Sequence, residues 1–257
     1  MANTILQTRS LSKHFGNFAA NADIDFAVNE GELRAVIGPN GAGKTTFFNL
    51  LAGFTPATSG TIVYKDRDIT NASGPQRVRI GIAKAFQTAN IYPSETVEQN
   101  VRLAALARIQ GPFALQVFRR STRLEAIDTG ANRALDRVDL TRLATTRAGD
   151  LAHGDKKRLD IAIALATEPE ILLLDEPVAG MSIDEARRTE QLIKKLATEM
   201  TVLIIEHDME IIMGISDSIT VLHQGRVLAS GTPAEIRNNQ AVQEAYLGGH
   251  TESELAG

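Results

Sequence analysis

A chain of 257 residues, 43% hydrophobic and 23% charged, is long enough for one large α/β domain with a sizeable buried core. It has no cysteine, which excludes disulfides and thiolate metal sites. Its formal charge of −4, with both signs spread along the chain, speaks against a dedicated nucleic-acid binder. Apolar runs such as 161–166 and 171–174 fall far short of the roughly 20 residues that a membrane-crossing helix needs. The N-terminus has no basic stretch followed by an apolar core, so any membrane role is expected to come through a partner.

In chain order, the N-terminal stretch reads as strands and tight turns. Residues 33–37 (Leu-Arg-Ala-Val-Ile) form an apolar strand that enters a glycine-rich loop at Gly38. A helix is expected from Lys44 to about Ala52, closed by Gly53 as its C-cap. Ser59-Gly60 turns the chain into a strand over Thr61–Tyr64, and another short strand is expected over Ile82–Phe86. Residues 88–165 change to a helical spacing of apolar side chains, as in Val97, Val101 and Ala104, broken at Gly111-Pro112. This region reads as a helical subdomain of residues 88–165 inserted into an α/β core of residues 1–87 and 166–257. Strands follow at 171–174 and 201–205. Between them Ser182-x-x-Glu185 is a capping box that opens a helix to about Ala197. Thr232-Pro233-x-Glu235 starts another helix. Short apolar strands bounded by helices imply a mainly parallel sheet covered on both faces.

Gly38-Pro39-Asn40-Gly41-Ala42-Gly43-Lys44-Thr45 matches the whole G-x-x-x-x-G-K-[ST] pattern, after a strand and at the start of a helix. Glycines let backbone N–H groups approach phosphate oxygens, and the helix N-terminus adds a positive dipole. Lys44 is placed to reach the β- and γ-phosphates of ATP, the Thr45 hydroxyl to bind Mg²⁺, and Thr46 follows in the same first turn. Asp175 and Glu176 end an apolar strand. There Asp175 suits the Mg²⁺ shell, and Glu176 suits a base that polarises an attacking water. His207 follows the next strand, where an imidazole can hydrogen-bond a γ-phosphate and orient the water, and Gln87, at the end of a short strand, can touch Mg²⁺ or water. His207 and Gln87 draw their weight from this company, since alone each is an ordinary surface residue.

Taken together, these residues resemble the nucleotide-binding domain of ABC transporters over nearly the whole chain, in order. The resemblance implies an α/β phosphate-loop ATPase core with an N-terminal antiparallel β part and the inserted helical subdomain. It implies Phe15 as the adenine-stacking aromatic, Gln87 as the Q-loop, Asp175 and Glu176 as the Walker B pair, residues 179–182 as the D-loop and His207 as the switch histidine. The family's signature reads here Leu151-Ala152-His153-Gly154-Asp155, a departure from the common Leu-Ser-Gly-Gly-Gln. By resemblance, Gly154 lies on an outer face and offers its N–H to the γ-phosphate held by a facing protomer. Ala152 lacks the usual serine hydroxyl, which removes one trans hydrogen bond worth about 0.5–1.5 kcal/mol.

The Gly-Asp variant of the signature, the Ala-Gly-Met-Ser D-loop and the ending Glu244-Ala245-Tyr246-Leu247-Gly248 are similar to the branched-chain amino-acid importer ATPases of the LivG type. That likeness implies an ATP-hydrolysing subunit with bound Mg²⁺, peripheral on the cytoplasmic face of the cell membrane. It would work with a second ATPase subunit, integral-membrane permeases and, indirectly, a solute-binding protein. Residues 91–93 (Ile-Tyr-Pro) are the expected permease-docking turn. A soluble ABC ATPase that assists assembly or regulation, without transport, is the alternative from another class.

Overall fold

The computed structural model describes residues 3–86, 89–109 and 120–246. In chain order its elements are β1 (Thr4–Phe15), β2 (Phe18–Asn29), β3 (Leu33–Ile37), α1 (Lys44–Ala52), β4 (Ser59–Tyr64), β5 (Arg67–Asp68), α2 (Gly74–Arg79), β6 (Ile82–Ala85) and α3 (Val97–Ile109). There follow α4 (Arg120–Arg137), α5 (His153–Leu165), β7 (Ile171–Asp175), α6 (Ile183–Ala197), β8 (Thr201–Ile205), α7 (Met209–Ile215), β9 (Ser218–His223), β10 (Arg226–Gly231) and α8 (Pro233–Arg237). They divide into two units, one of Met1–Arg77 with Leu196–Gly257 and one of Val78–Lys195. Among the described residues no helix is long and apolar enough to cross a membrane.

In the first unit, β1 and β2 form a long hairpin in which Phe15 pairs with Phe18 across a two-residue turn. Period-two alternation sets its faces: Ile24, Phe26 and Val28 are buried while Asp23, Asp25 and Ala27 are exposed. With β4 and β5 it makes an antiparallel sheet in the order β2-β1-β4-β5. A second sheet has β3 parallel to both β8 and β9, with β10 antiparallel to β9. Every residue of β8 is buried, as expected for a strand covered on both faces. The Phe26 and Phe47 rings meet edge to face, 5.2 Å apart, and tie the hairpin to α1. Gly53 ends α1 in the left-handed conformation, and the Thr232–Glu235 capping box opens α8, both as the sequence leads one to expect.

In the second unit β6 runs parallel to β7, which is fully buried, and α6 opens on the Ser182–Glu185 capping box. The helical stretch consists of α3, α4 and α5, with 3₁₀ turns at Thr141–Leu143 and Ala148–Asp150. The break expected at Gly111-Pro112 lies outside the described residues. β6 ends at Ala85, one residue before the expected Phe86. The reason is local: the Phe86 N–H donates to Asp160 Oδ2 at 2.5 Å instead of to a strand.

Nothing in the sequence singles out Arg77, yet it is 1% exposed. Its guanidinium donates to Leu50 O and Leu51 O at the end of α1 (2.6 and 2.5 Å) and to Ile69 O, Thr70 O and Ala72 O (3.0–3.1 Å). The two α1 carbonyls lie in the last turn of the helix, where carbonyls lack i+4 amides within it; Leu50 O also takes the Gly53 cap amide at 3.2 Å, and the planar fork adds a donor to each. Burial pushes the guanidinium down to about 10, which still leaves it charged at neutral pH. Arg77→Met is expected to destabilise the protein by on the order of 3–5 kcal/mol in urea unfolding. Arg77→Lys should recover only a minor part, because an ammonium has three donors and no fork.

Candidate functional site

The phosphate loop leaves the carboxyl end of β3, the edge where ligands collect in sheets of this kind. Its backbone lies hard against its neighbours. Gly38 has φ 153°, and a Cβ there would sit 2.1 Å from Leu222 O; Gly43 has φ 93°, and a Cβ would sit 2.3 Å from Ala20 O. Asn21, fully buried, donates through Nδ2 to Gly43 O at 3.2 Å and holds the loop's end. Lys44, 8% exposed, donates through Nζ to Gly38 O at 2.6 Å and Pro39 O at 3.0 Å. The ammonium therefore sits inside the curve of the loop. Asn40, Gly41 and Thr45 are exposed, Pro39 and Thr46 half-buried and Ala42 buried. Gly43 supplies no side-chain cap and the first turn of α1 has no acid, so the dipole there meets no negative side chain of α1 itself.

His207 emerges on the same edge. Val36 pairs with Ile205, and Gly38 and His207 each stand two residues beyond that pair on neighbouring parallel strands. The His207 side chain is 63% exposed, and Asp208 behind it caps α7 by accepting from the Glu210 and Ile211 amides. Phe15 is 54% exposed, with Lys13 Nζ 5.0 Å from its ring centroid, so an aromatic face is available for stacking. Residues 240–246 are helical, and 241, 244 and 245 line, with Pro39–Ala42, His223 and Gln224, a cavity of about 590 Å³. Burial pushes the Tyr246 hydroxyl up to about 12, opposed by the Gly38 backbone, which lies close but outside hydrogen-bond geometry.

The second unit holds the carboxylates. Asp175 is 3% exposed, and its Oδ2 pairs with Lys84 Nζ at 2.8 Å. Its other oxygen, Oδ1, is buried and accepts no hydrogen bond, an arrangement that suits a hard cation. Glu176 has φ 50°, a left-handed conformation uncommon for a non-glycine residue, and its side chain is half-buried where Asp175 is buried. Lys157 of α5 donates to the Glu176 carbonyl at 3.3 Å, and His153 Nε2 lies 3.2 Å from the Ala179 carbonyl in the D-loop. Gln87 lies outside the described residues.

Gly154 corrects the expectation of an outer face. It is buried, because the Glu185 carboxylate lies across its α-carbon; a Cβ there would be 2.8 Å from Glu185 Oε1. Ala152 and His153 are the exposed residues at this helix start, and Ala152 gives α5 no side-chain cap. Gly154 still borders a small cleft of about 140 Å³ with Asp155, Arg158 and Arg188. Ser182 caps α6 as the capping box leads one to expect: Glu185 accepts from its hydroxyl and N–H, which holds the Glu185 carboxyl below its ordinary range.

The loop's two kinds of glycine separate under substitution. Gly38→Ala meets a backbone carbonyl and is expected to cost more than about 3 kcal/mol and to abolish ATP binding. Gly41→Ala has open space and φ 78°, so about 1–2 kcal/mol of backbone strain is expected, with binding retained. Thermal unfolding and ATP titration of the two variants check this.

Comparison with known proteins agrees with the geometry. The ABC transporter family model matches residues 22–179, and the model for the branched-chain amino acid ATP-binding cassette transporter C-terminal segment matches residues 226–252. The chain is 41% identical over 255 residues to the high-affinity branched-chain amino acid transport ATP-binding protein LivG of Salmonella typhimurium, covering 96% of this chain and 99% of that one. Identity is also 41%, with the same coverage, to BraF of Pseudomonas aeruginosa, which carries the same description. A nucleotide-free ATP-binding cassette from an ABC transporter superposes with a TM-score of 0.83 at 30% identity, covering 95% of this chain and 98% of that one. An ATP-binding cassette of an ABC transporter in its ADP conformation superposes with a TM-score of 0.83 at 29% identity, covering 95% and 99%. A complete phosphate loop, a carboxylate-ended strand and this match over both ends make the chain a member of the ABC transporter family, an ATP-binding cassette of the kind that hydrolyses ATP.

Proposed function

We propose that this cassette powers an importer of branched-chain amino acids or related small amides, through ATP-driven closure of a cassette dimer. The observation that carries the proposal is the phosphate loop, with the Lys44 ammonium held inside its curve by two loop carbonyls. On ATP binding, Lys44 exchanges the Gly38 and Pro39 carbonyls for β- and γ-phosphate oxygens, and Phe15 stacks on the adenine. Loop amides from Asn40 to Thr46 take the phosphates.

Thr45, Asp175 and Gln87 would hold Mg²⁺, with the buried, unpartnered Asp175 Oδ1 as its carboxylate ligand. Mg²⁺ there would neutralise charge on the β- and γ-phosphates. Glu176 accepts the proton of a water whose oxygen bonds to the γ-phosphorus, the β–γ bridging bond breaks, and ADP leaves with those electrons. His207 hydrogen-bonds the γ-phosphate and orients that water. The 88–165 region carries the signature. The start of α5, near Gly154, caps the ATP of a second cassette, identical or a paralogue, so ATP stabilises the closed dimer by its higher affinity for that state.

The permease side of the proposal rests on Tyr92. It is 61% exposed, yet its backbone is fixed: Asn100 Oδ1 accepts from its N–H at 2.7 Å and Asn100 Nδ2 donates to its carbonyl at 3.0 Å. A rigidly held exposed aromatic suits a docking contact. The transported solute is inferred from the names of the two relatives given above, which describe branched-chain amino acid transport; a solute-binding protein is what an importer of such solutes would work with. Through the permeases the cassette would sit peripherally on the inner face of the membrane.

Glu176→Gln is expected to lower turnover at least about 100-fold while ATP still binds, and to accumulate an ATP-bound dimer in size-exclusion chromatography. Wild-type turnover in that variant removes Glu176 as the base. Lys44→Ala should lose ATP binding outright, measured by the same titration. Sedimentation of the chain with membranes only when its permeases are co-expressed separates the transporter from a soluble ABC ATPase.

A further inference from the structure

We propose that Asp160 is a positioning residue that ties the signature helix to the segment carrying Gln87, so that events at the start of α5 are felt there directly. It stands on α5, seven residues after His153, or about 10 Å along the helix axis. Its two carboxylate oxygens take one backbone amide each: Oδ2 accepts from Phe86 N at 2.5 Å and Oδ1 from Asn90 N at 3.2 Å. The two amides bracket Gln87 in the sequence. The proposal rests on the function given above, in which Gln87 and the Tyr92 turn link nucleotide to permease.

The side chain is placed for this and for little else. Asp160 is 3% exposed, and burial pushes its carboxyl up to about 6 against the opposing pull of the Phe86 and Asn90 amides, Lys157 and Lys84. A charge kept at such a site needs an explanation beyond filling space, since an apolar side chain is buried more cheaply. Its explanation is the number of acceptors: the Phe86 amide just past β6 and the Asn90 amide further on both lie outside any ladder, and a carboxylate offers an oxygen to each. Lys84 joins this cluster to the candidate site, because the same ammonium that acts on Asp160 pairs with Asp175 at 2.8 Å. One helix therefore presents Gly154 at its start and, two turns on, grips both flanks of the Gln87 segment.

The chain has no tryptophan, so Tyr92→Trp in the Glu176→Gln background gives a sole fluorescent reporter at the exposed turn beyond Asn90. ATP with Mg²⁺ is expected to shift its emission. Adding Asp160→Asn, which leaves one acceptor oxygen for two amides, should reduce the shift at least twofold while Kd for ATP changes less than about threefold. Asp160→Glu keeps both oxygens and should restore at least half of the shift, which a loss of packing alone would not allow. An undiminished shift in Asp160→Asn at saturating ATP overturns the role of Asp160 and leaves the function standing. A reporter that does not respond to ATP even with Asp160 present overturns both. If Asp160→Asn does not fold, Asn90→Pro removes one of the two donors with the carboxylate in place. A halved shift then supports the tie, and a full one refutes it.

Discussion

The first unit depends on one constraint, the close approach of the phosphate-loop backbone to its own scaffold. Gly38 presses on the Leu222 carbonyl and Gly43 on the Ala20 carbonyl, at distances no side chain could share. A loop pinned at both ends turns its amides to one side, which is what binding a polyphosphate by backbone dipoles requires. The pinning surfaces come from β2 and β9, so the loop's shape rests on both the antiparallel hairpin and the parallel sheet. Arg77 serves the same end from behind, closing the carbonyl end of α1 while its amino end faces the loop. The helix that carries the dipole is thus anchored at the end remote from the ligand.

Charge in the second unit follows a different rule. Asp175, Lys84, Asp160 and Lys157 are all nearly or fully inaccessible. Buried carboxylates and ammonium groups are tolerated only when paired or hydrogen-bonded, and here each acid meets a cation or a pair of amides. Asp175 Oδ1 is the exception that points to chemistry: a buried acceptor with no donor is costly unless something else satisfies it. The left-handed backbone of Glu176 directly after it is a second local cost at the same place, and strain of this kind gathers where a side chain must leave the regular alternation of a strand.

What the sequence made legible was local. The phosphate loop, the Gly53 C-cap and the capping boxes at Ser182 and Thr232 are each written within four to eight neighbouring residues, and their geometry follows from backbone sterics alone. The functional residues that sequence reasoning missed are those whose partners are remote. Arg77 reaches carbonyls 27 positions back and Asp160 an amide 74 positions back, and no periodicity announces either. Polar residues inside apolar spacing were the one available signal: Asp160 falls among Leu159, Ile161 and Ala162, all buried. The same remoteness explains Gly154. A signature glycine reads as exposed until Glu185, set in place by its capping bonds to Ser182, is found lying over it.

That cover changes what the altered signature means. Ala152 leaves the amides at the start of α5 without a side-chain cap, and in the family's usual form a serine hydroxyl stands there. In this chain Glu185 brings a carboxylate to the α-carbon of Gly154, and at a helix N-terminus negative charge is favourable. Glu185 is itself fixed by Ser182, so the α6 cap and the altered signature are joined through one side chain. A phosphate approaching this helix start would meet that carboxylate's repulsion in addition to the missing hydroxyl. In the proposed dimer both would act in one direction, toward weaker ATP-bridged closure than a serine-containing signature gives, and a cassette that closes weakly would leave more of the decision to close with the partners bound to it.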